Sequence, residues 1–510
     1  MRRVAAWTAF VLVAACSDEG GSATSEPTPA PTRAATVTAP STTPPSATLA
    51  PTTAGEAQLT DWKCPPGLPA AAECHRLAVP ADWSDPTGGT ISLPVAVVRA
   101  SGPARRGDPI VIPAGGPGFD GLGLAGWSDS PLARGRDVVA YDQRGTGRAE
   151  PLLECPERDA AFVANLQQDQ PFEAERAAIV AGLTACRARL EGQGIDLDDY
   201  DTEASVKDLD AIRRALGYES WNLLGISYGA RLGLAAMRST PEHLRAVILD
   251  SVYDVTGGGL AAQATSAERA FQQLADGCAA DPECAAAHPD VAAAISAVRD
   301  RYNAEPITVD ADIGDGAGPR TFVITGDDVM GGLFNALYDA ALIPVLPSLL
   351  DGLAAGDTSV VPELIRRGVP FATGQADGMQ MSVDCADNAG LGEDADRAIL
   401  AAPGRTRLIV TQALCSEWPV EPTSPDFNQP VTSDLPVLVL AGLYDPITPP
   451  AGTEAVASRL ANASFGLWPN VGHGVSGGKC ANQIGQAFLD TPTAPVNLSC
   501  VAAVPGPAFA

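Results

Sequence analysis

Gly225-Ile226-Ser227-Tyr228-Gly229 sets a serine between a strand-like run (Trp221 to Leu224) and a helix-like run (Ala230 to Met237). A serine hydroxyl is a poor nucleophile until a base takes its proton during attack, and an imidazole serves only if a carboxylate fixes its tautomer. Candidates for both partners follow in the order nucleophile, acid, histidine. Asp445 lies in Leu443-Tyr444-Asp445-Pro446, just past the apolar run Pro436 to Gly442. His473 lies in the loop Pro469 to Gly474, past the strand-like run Ser464 to Trp468. Together these side chains could transfer an acyl group: Ser227 attacks a carbonyl, His473 carries the proton and Asp445 orients the ring. The chain has four histidines, and His75, His243 and His288 have no comparable setting. Asp250, at the end of the apolar run Ala246 to Leu249, is the rival acid.

The developing oxyanion needs donors. One is the backbone N–H after the nucleophile, on Tyr228; the other belongs to a glycine-rich loop after an earlier strand, here Gly116 or Gly115 of Ala114-Gly115-Gly116-Pro117-Gly118 after Asp108 to Pro113. Gly474-Val475-Ser476-Gly477-Gly478 repeats the letters of the first motif. It follows a loop and precedes Lys479-Cys480, so the reading gives it no helix to aim the hydroxyl.

Elements must hold these residues in place. Strand-like runs at Ile91 to Val98, Pro109 to Pro113, Asp137 to Tyr141, Trp221 to Leu224, Ala246 to Leu249, Pro436 to Leu440 and Ser464 to Trp468 imply a mostly parallel sheet, with helices between. A long alanine-rich, helix-patterned stretch interrupts it. The expected division is a core over 58–254 with a helical insertion at 152–200, a helical lid over 255–434, and a C-terminal core part over 435–510.

Ala114 to Gly118, Tyr141-Asp142-Gln143-Arg144-Gly145-Thr146-Gly147, Gly225 to Gly229, the Asp445 turn and the His473 loop together resemble the proline iminopeptidase-like α/β-hydrolases. They resemble more closely the secreted tripeptidyl aminopeptidases of actinobacteria, with their C-terminal segment. The likeness covers roughly residues 62 to 505. It implies an α/β-hydrolase fold: a mostly parallel central sheet flanked by helices, with a large helical lid inserted before the strand that carries the acid. Two departures are Ala114, where many relatives have histidine, and Ala149, where many have serine; either could alter substrate preference. Asp142 to Gly145 reads as a strand-terminating turn with a structural salt bridge.

An aminopeptidase must pair the substrate's α-ammonium with a carboxylate. Ser382 to Asp387 resembles the Cys-Xaa-Asp segment of the tripeptidyl aminopeptidase lid, which makes Asp387, then Asp384, the candidates. Met379 and Met381 suit core packing better than an apolar subsite.

Arg2 and Arg3 precede a short apolar stretch, Val4 to Ala15, which suits a signal peptide and is too short to span a bilayer. Val13-Ala14-Ala15-Cys16 matches a lipobox, so 1–16 reads as a lipoprotein signal with Cys16 lipidated, and the Ser/Thr/Pro/Ala-rich 17–57 as a tether. The expected location is the outer face of a bacterial membrane, held through Cys16 only, or the medium.

The chain has 11 cysteines. Setting aside Cys16, proximity suggests Cys64–Cys74, Cys155–Cys186, Cys278–Cys284, Cys385–Cys415 and Cys480–Cys500, although spacing alone does not fix connectivity. No cofactor or metal is expected, because the histidines are scattered and no C-x-x-C pair occurs. A net charge of -28 argues against nucleic acid and anionic headgroups as ligands. Two function classes compete: a peptidase acting on free N-termini, and an esterase or lipase-like enzyme acting on small esters. A non-enzymatic surface lipoprotein would require a missing catalytic residue, and none is missing.

Overall fold

The structure, a computed structural model, describes residues 59–100, 105–254, 256, 259–391 and 414–509. The lipobox at Cys16 and the tether over 17–57 lie outside them. Its centre is a nine-stranded sheet in the order β1-β2-β3-β5-β4-β6-β7-β10-β11. These strands are β1 (Leu59–Asp61), β2 (Ala72–Pro80), β3 (Thr90–Val98), β4 (Ile110–Ile112), β5 (Val138–Tyr141), β6 (Trp221–Ile226), β7 (Leu244–Asp250), β10 (Pro436–Gly442) and β11 (Asn462–Trp468). From β5 to β11 all neighbours are parallel, whereas β1, β2 and β3 pair antiparallel.

The central strands are continuous apolar runs because helices cover both faces. Ile110, Val111, Leu223, Leu224, Val247, Ile248, Leu438 and Val439 are all buried. One face packs on helices Thr202–Ala215 and Tyr228–Ser239, the other on Lys479–Asp490. From β4 the chain turns to β5 on one side, and β6 lies on the other. The strand order therefore reverses at the carboxyl ends of β4 and β6, the kind of switch point where open α/β sheets form a ligand crevice.

Between β7 and β10 lies the lid. Helices Val291–Ala304, Gly326–Ala336, Leu346–Ala355 and Val361–Thr373 build a second apolar core with Phe322, Leu333, Ile343 and Leu350. Helix Asp377–Asp387 instead buries Met379, Met381 and Val383 in the main core. Two features depart from the sequence expectation. The lid holds an antiparallel hairpin, β8 (Ile307–Ala311) and β9 (Arg320–Ile324). The sheet also gains β1 and β2, whose polar residues mask the alternation of a strand buried on one face.

Disulfides join Cys64–Cys74, Cys155–Cys186, Cys278–Cys284, Cys385–Cys415 and Cys480–Cys500. The second joins the N-cap of the insertion helix Pro156–Asn165 to the C-terminal half of the helix Phe172–Gly192.

Candidate active site

Ser227 sits between β6 and its helix at φ 59°, ψ -122°, a strained position for a residue with a side chain. Its flanking glycines are required by space. A Cβ on Gly225 would lie 2.3 Å from the Gly229 carbonyl oxygen, and one on Gly229 would lie 2.6 Å from that of Pro113. The Ser227 hydroxyl is half-buried and makes no hydrogen bond among the described residues. Catalytic hydrogen bonds are often long before substrate binds.

The glycine-rich loop after β4 lies against the serine, with a Cβ built on Gly115 only 3.5 Å from that of Ser227. Gly116 adopts φ 109°, and a side chain there would meet the Gly118 nitrogen at 2.7 Å. Among the described residues nothing accepts from the Gly115, Gly116 or Tyr228 amides. The loop is braced from both sides. Gln143 Nε2 donates to the Ala114 carbonyl at 3.0 Å, and the Ala376 N–H to that of Gly118 at 2.9 Å.

The rest of the Tyr141 to Gly147 run is scaffolding. Asp142 accepts the N–H groups of Gly121, Leu122 and Arg148. Arg144 grips Asp208 with two 2.7 Å hydrogen bonds.

His473 and Asp445 meet, with Nδ1 and Oδ2 2.9 Å apart. Asp445 is fully buried. It also accepts the Ile447 and Thr448 N–H groups and the Thr448 hydroxyl, at 2.9, 2.8 and 2.6 Å. Burial works to raise this carboxyl, but the charge and hydrogen bond of His473 and these donors hold it below its ordinary range. Burial works to lower His473, and the Asp445 charge outweighs it, leaving the imidazole above its ordinary value, with Asp250 adding to the effect. The arrangement points Nδ1–H toward Asp445 and leaves Nε2 with a free lone pair, the disposition a general base requires. Thr448, Arg269 and Tyr338 were not singled out in the sequence. Arg269 donates to the Leu443 and Asp445 carbonyls, and the Tyr338 ring centroid lies 5.0 Å from that of His473. For Thr448 a local signal existed, because Asp-Pro-Ile-Thr is a turn in which Asp caps nearby amides.

Asp250, the rival acid, makes no hydrogen bond to His473. Its carboxylate accepts from Val475 N–H, Ser476 N–H and the Ser476 hydroxyl. The second Gly-x-Ser-x-Gly segment needs correcting, since helix Lys479–Asp490 does follow it. Its serine is nevertheless fully buried and aimed at Asp250 rather than at the crevice.

The proposed ammonium ligands are occupied otherwise. Asp387 pairs with Arg231 at 3.0 Å and accepts from the Thr202 hydroxyl at 2.5 Å. Asp384 accepts a long 3.4 Å bond from Tyr253, and burial pushes its carboxyl up to about 7. Both are buried, so neither offers an open charge. Met379 and Met381 are core residues. His75 and His288 contact Asp61 and Asp351 on the surface side of the molecule, and His243 lies near Asp210 and Glu242. No group of metal-ligating side chains is assembled among the described residues.

The family described as "alpha/beta hydrolase fold" matches residues 108–307, and the one described as "TAP-like protein" matches 403–500. Serine protease Hip1 of Mycobacterium tuberculosis is 28% identical over 84% of this chain and 87% of its own length. Carboxylesterase B of the same organism is 27% identical over 84% and 86%. Tripeptidyl aminopeptidase of Streptomyces lividans is 32% identical over 38% and 36%. With its parallel sheet, its inserted lid and these matches, the chain has the α/β-hydrolase fold and is a serine hydrolase similar to the tripeptidyl aminopeptidases.

Proposed function

We propose that the chain is an exported serine exopeptidase that releases short peptides, of tripeptidyl type, from free N-termini. The observation that carries the catalytic part is the 2.9 Å His473–Asp445 pair at the crevice that holds the half-exposed Ser227. Ser227 Oγ attacks the scissile carbonyl as His473 Nε2 takes its proton. The oxyanion is received by the Tyr228 amide and that of Gly116 or Gly115. His473 returns the proton to the leaving amine, the acyl-enzyme forms, and a water activated at His473 hydrolyses it. The names of the Hip1 and tripeptidyl aminopeptidase relatives support a peptide substrate. The signal-like Val4 to Ala15 supports export, with anchoring through Cys16. Among the described residues no helix is long and apolar enough to cross a membrane.

One observation favours the second reading, a carboxylic ester hydrolase with the same triad. Asp387 is neutralised by Arg231, and Asp384 is buried against Tyr253, so the lid residues first considered leave the substrate's ammonium without a partner. The test compares a chromogenic tri-alanyl anilide with its N-acetylated twin, using Ser227→Ala as control. A strong preference for the free amine, abolished in the control, supports the exopeptidase. Equal or absent cleavage of both, with short-chain esters still hydrolysed, replaces it with the esterase.

A further inference from the structure

The candidate triad sits on three separate segments, and one dipeptide touches all of them. Asp250 and Ser251 end β7, which lies between the nucleophile strand β6 and the acid strand β10. The Asp250 carbonyl accepts the Ser227 N–H at 3.0 Å, and the Ser251 N–H donates to the Leu440 carbonyl of β10 at 2.9 Å. Ser251 Oγ accepts the N–H of Gly474, the residue after His473, at 3.0 Å and donates to Asp250 Oδ1 at 3.0 Å. Asp250 Oδ2 receives the Val475 and Ser476 N–H groups at 2.7 and 2.6 Å, together with the Ser476 hydroxyl.

The carboxylate thus meets four donors, and among the described residues no Lys or Arg contacts it. Both residues are fully buried. Ser251 is held at φ 52°, a left-handed conformation that persists in a non-glycine residue only where its surroundings enforce it. Gly474 to Gly478, which plays no part as a nucleophile elbow, is here the segment being gripped.

We propose that Asp250 and Ser251 are positioning residues: a buried hub that registers the histidine loop against the nucleophile and the acid, and whose charge supports the imidazolium formed during attack. Ser227 and Asp445 stand at strand ends and inherit rigidity from the sheet. His473 stands on a loop and needs a tether, since misplacement by about 1 Å can cost about 100-fold in rate. The groups in contact with the His473 ring are Asp445 and Thr448 from the turn after β10 and Tyr338 from the lid. The Asp250 carboxylate, bonded two and three residues further on at Val475 and Ser476, adds its charge from a longer range even though burial pushes its own pKa up. Arg269, from the first lid helix, is spent on the Leu443 and Asp445 carbonyls.

The proposal rests on the Ser227–His473–Asp445 reading, and the experiment separates the two. Full-length wild type, Asp250→Asn, Ser251→Ala and Ser476→Ala are titrated with a fluorophosphonate probe, then assayed per labelled site on a p-nitrophenyl ester across pH. Asp250→Asn is expected to lose about 10–100-fold in kcat with KM nearly unchanged. The acidic limb of its kcat/KM profile should move to lower pH, because a negative charge near His473 is gone. The two serine variants keep the carboxylate and should lose a few-fold in kcat without moving that limb. A purely structural Asp250 would lower the labelled fraction and leave turnover per site and the pH limb at wild-type values, which would overturn the hub. Should Asp250→Asn fail to fold, unchanged turnover per site in both serine variants overturns it instead. A wild type that does not label at Ser227 removes the triad reading and the hub with it.

Discussion

In Gly225 to Gly229 the serine stands half-exposed at φ 59°, with its hydroxyl unengaged among the described residues. In Gly474 to Gly478 it is fully buried and donates to Asp250. Both segments precede a helix, so a following helix does not separate them. What differs is what comes before: β6 delivers Ser227 straight from the middle of the sheet, whereas Ser476 follows a loop that bends back over β7. The same letters build the proposed nucleophile's turn in one place and a buried hydrogen-bonded segment in the other.

The largest test of that contrast is removal of each hydroxyl. Ser227→Ala is expected to lower kcat by about a thousandfold or more, whereas Ser476→Ala costs only a few-fold. Steady-state kinetics on matched, folded samples checks it, and a comparable collapse in both variants would end the distinction. Asp445→Asn belongs with Ser227→Ala, with a loss of about 10⁴-fold, because an amide favours the wrong imidazole tautomer.

The glycines divide in the same way. A Cβ at Gly225 or Gly229 would press to 2.3 or 2.6 Å on backbone oxygen, where no flexible side chain can yield, whereas one at Gly477 meets nothing within 4 Å. Gly225→Ala and Gly229→Ala should therefore destabilise by about 3 kcal/mol or more, or prevent folding. Gly477→Ala should stay within about 0.5 kcal/mol of wild type in a denaturant melt.

A pH profile sharpens the functional half of the comparison. His473 must be neutral to accept the Ser227 proton, and its pKa lies above the ordinary 6.5. Activity should fall as pH drops through a midpoint above 6.5, measured as kcat/KM, and a midpoint below it would contradict the Asp445 partnership.

Local order in the chain made the crevice legible. Strands β4, β6, β7 and β10 are short apolar runs, Ser227 and Asp445 follow β6 and β10, and His473 follows the next strand, β11. The parts that stayed hidden depend on distant partners. Nothing near Asp387 announces Arg231, 156 positions earlier, yet the fold brings the two within 3.0 Å as an ion pair. Asp250 reads as a strand-end acid, and only the folded loop shows that its oxygens face Val475 and Ser476. Strand β2 carries Glu73, His75 and Arg76, which weakens its apolar pattern, and its role became visible only through pairing with β3.

Buried aspartates repeat the lesson that type alone decides little. Asp445 is held as a charge by His473, Thr448 and two amides, whereas Asp384 has a long bond from Tyr253 and an Arg231 guanidinium already claimed by Asp387. Burial therefore wins at Asp384 and pushes its carboxyl from 3.8 up to about 7. A raised folded-state pKa means that folding favours the protonated acid. The stability it contributes is complete below the unfolded value of 3.8 and is lost as pH rises through about 7. Asp384→Asn mimics the neutral form, so its melting temperature should equal that of wild type near pH 4 and exceed it by a few degrees at pH 8. Thermal unfolding of both proteins across that range is the measurement. An advantage that stays flat with pH would mean that Asp384 is ionised in the folded lid and has found a cationic partner there, which would restore it as a candidate for the substrate's amine.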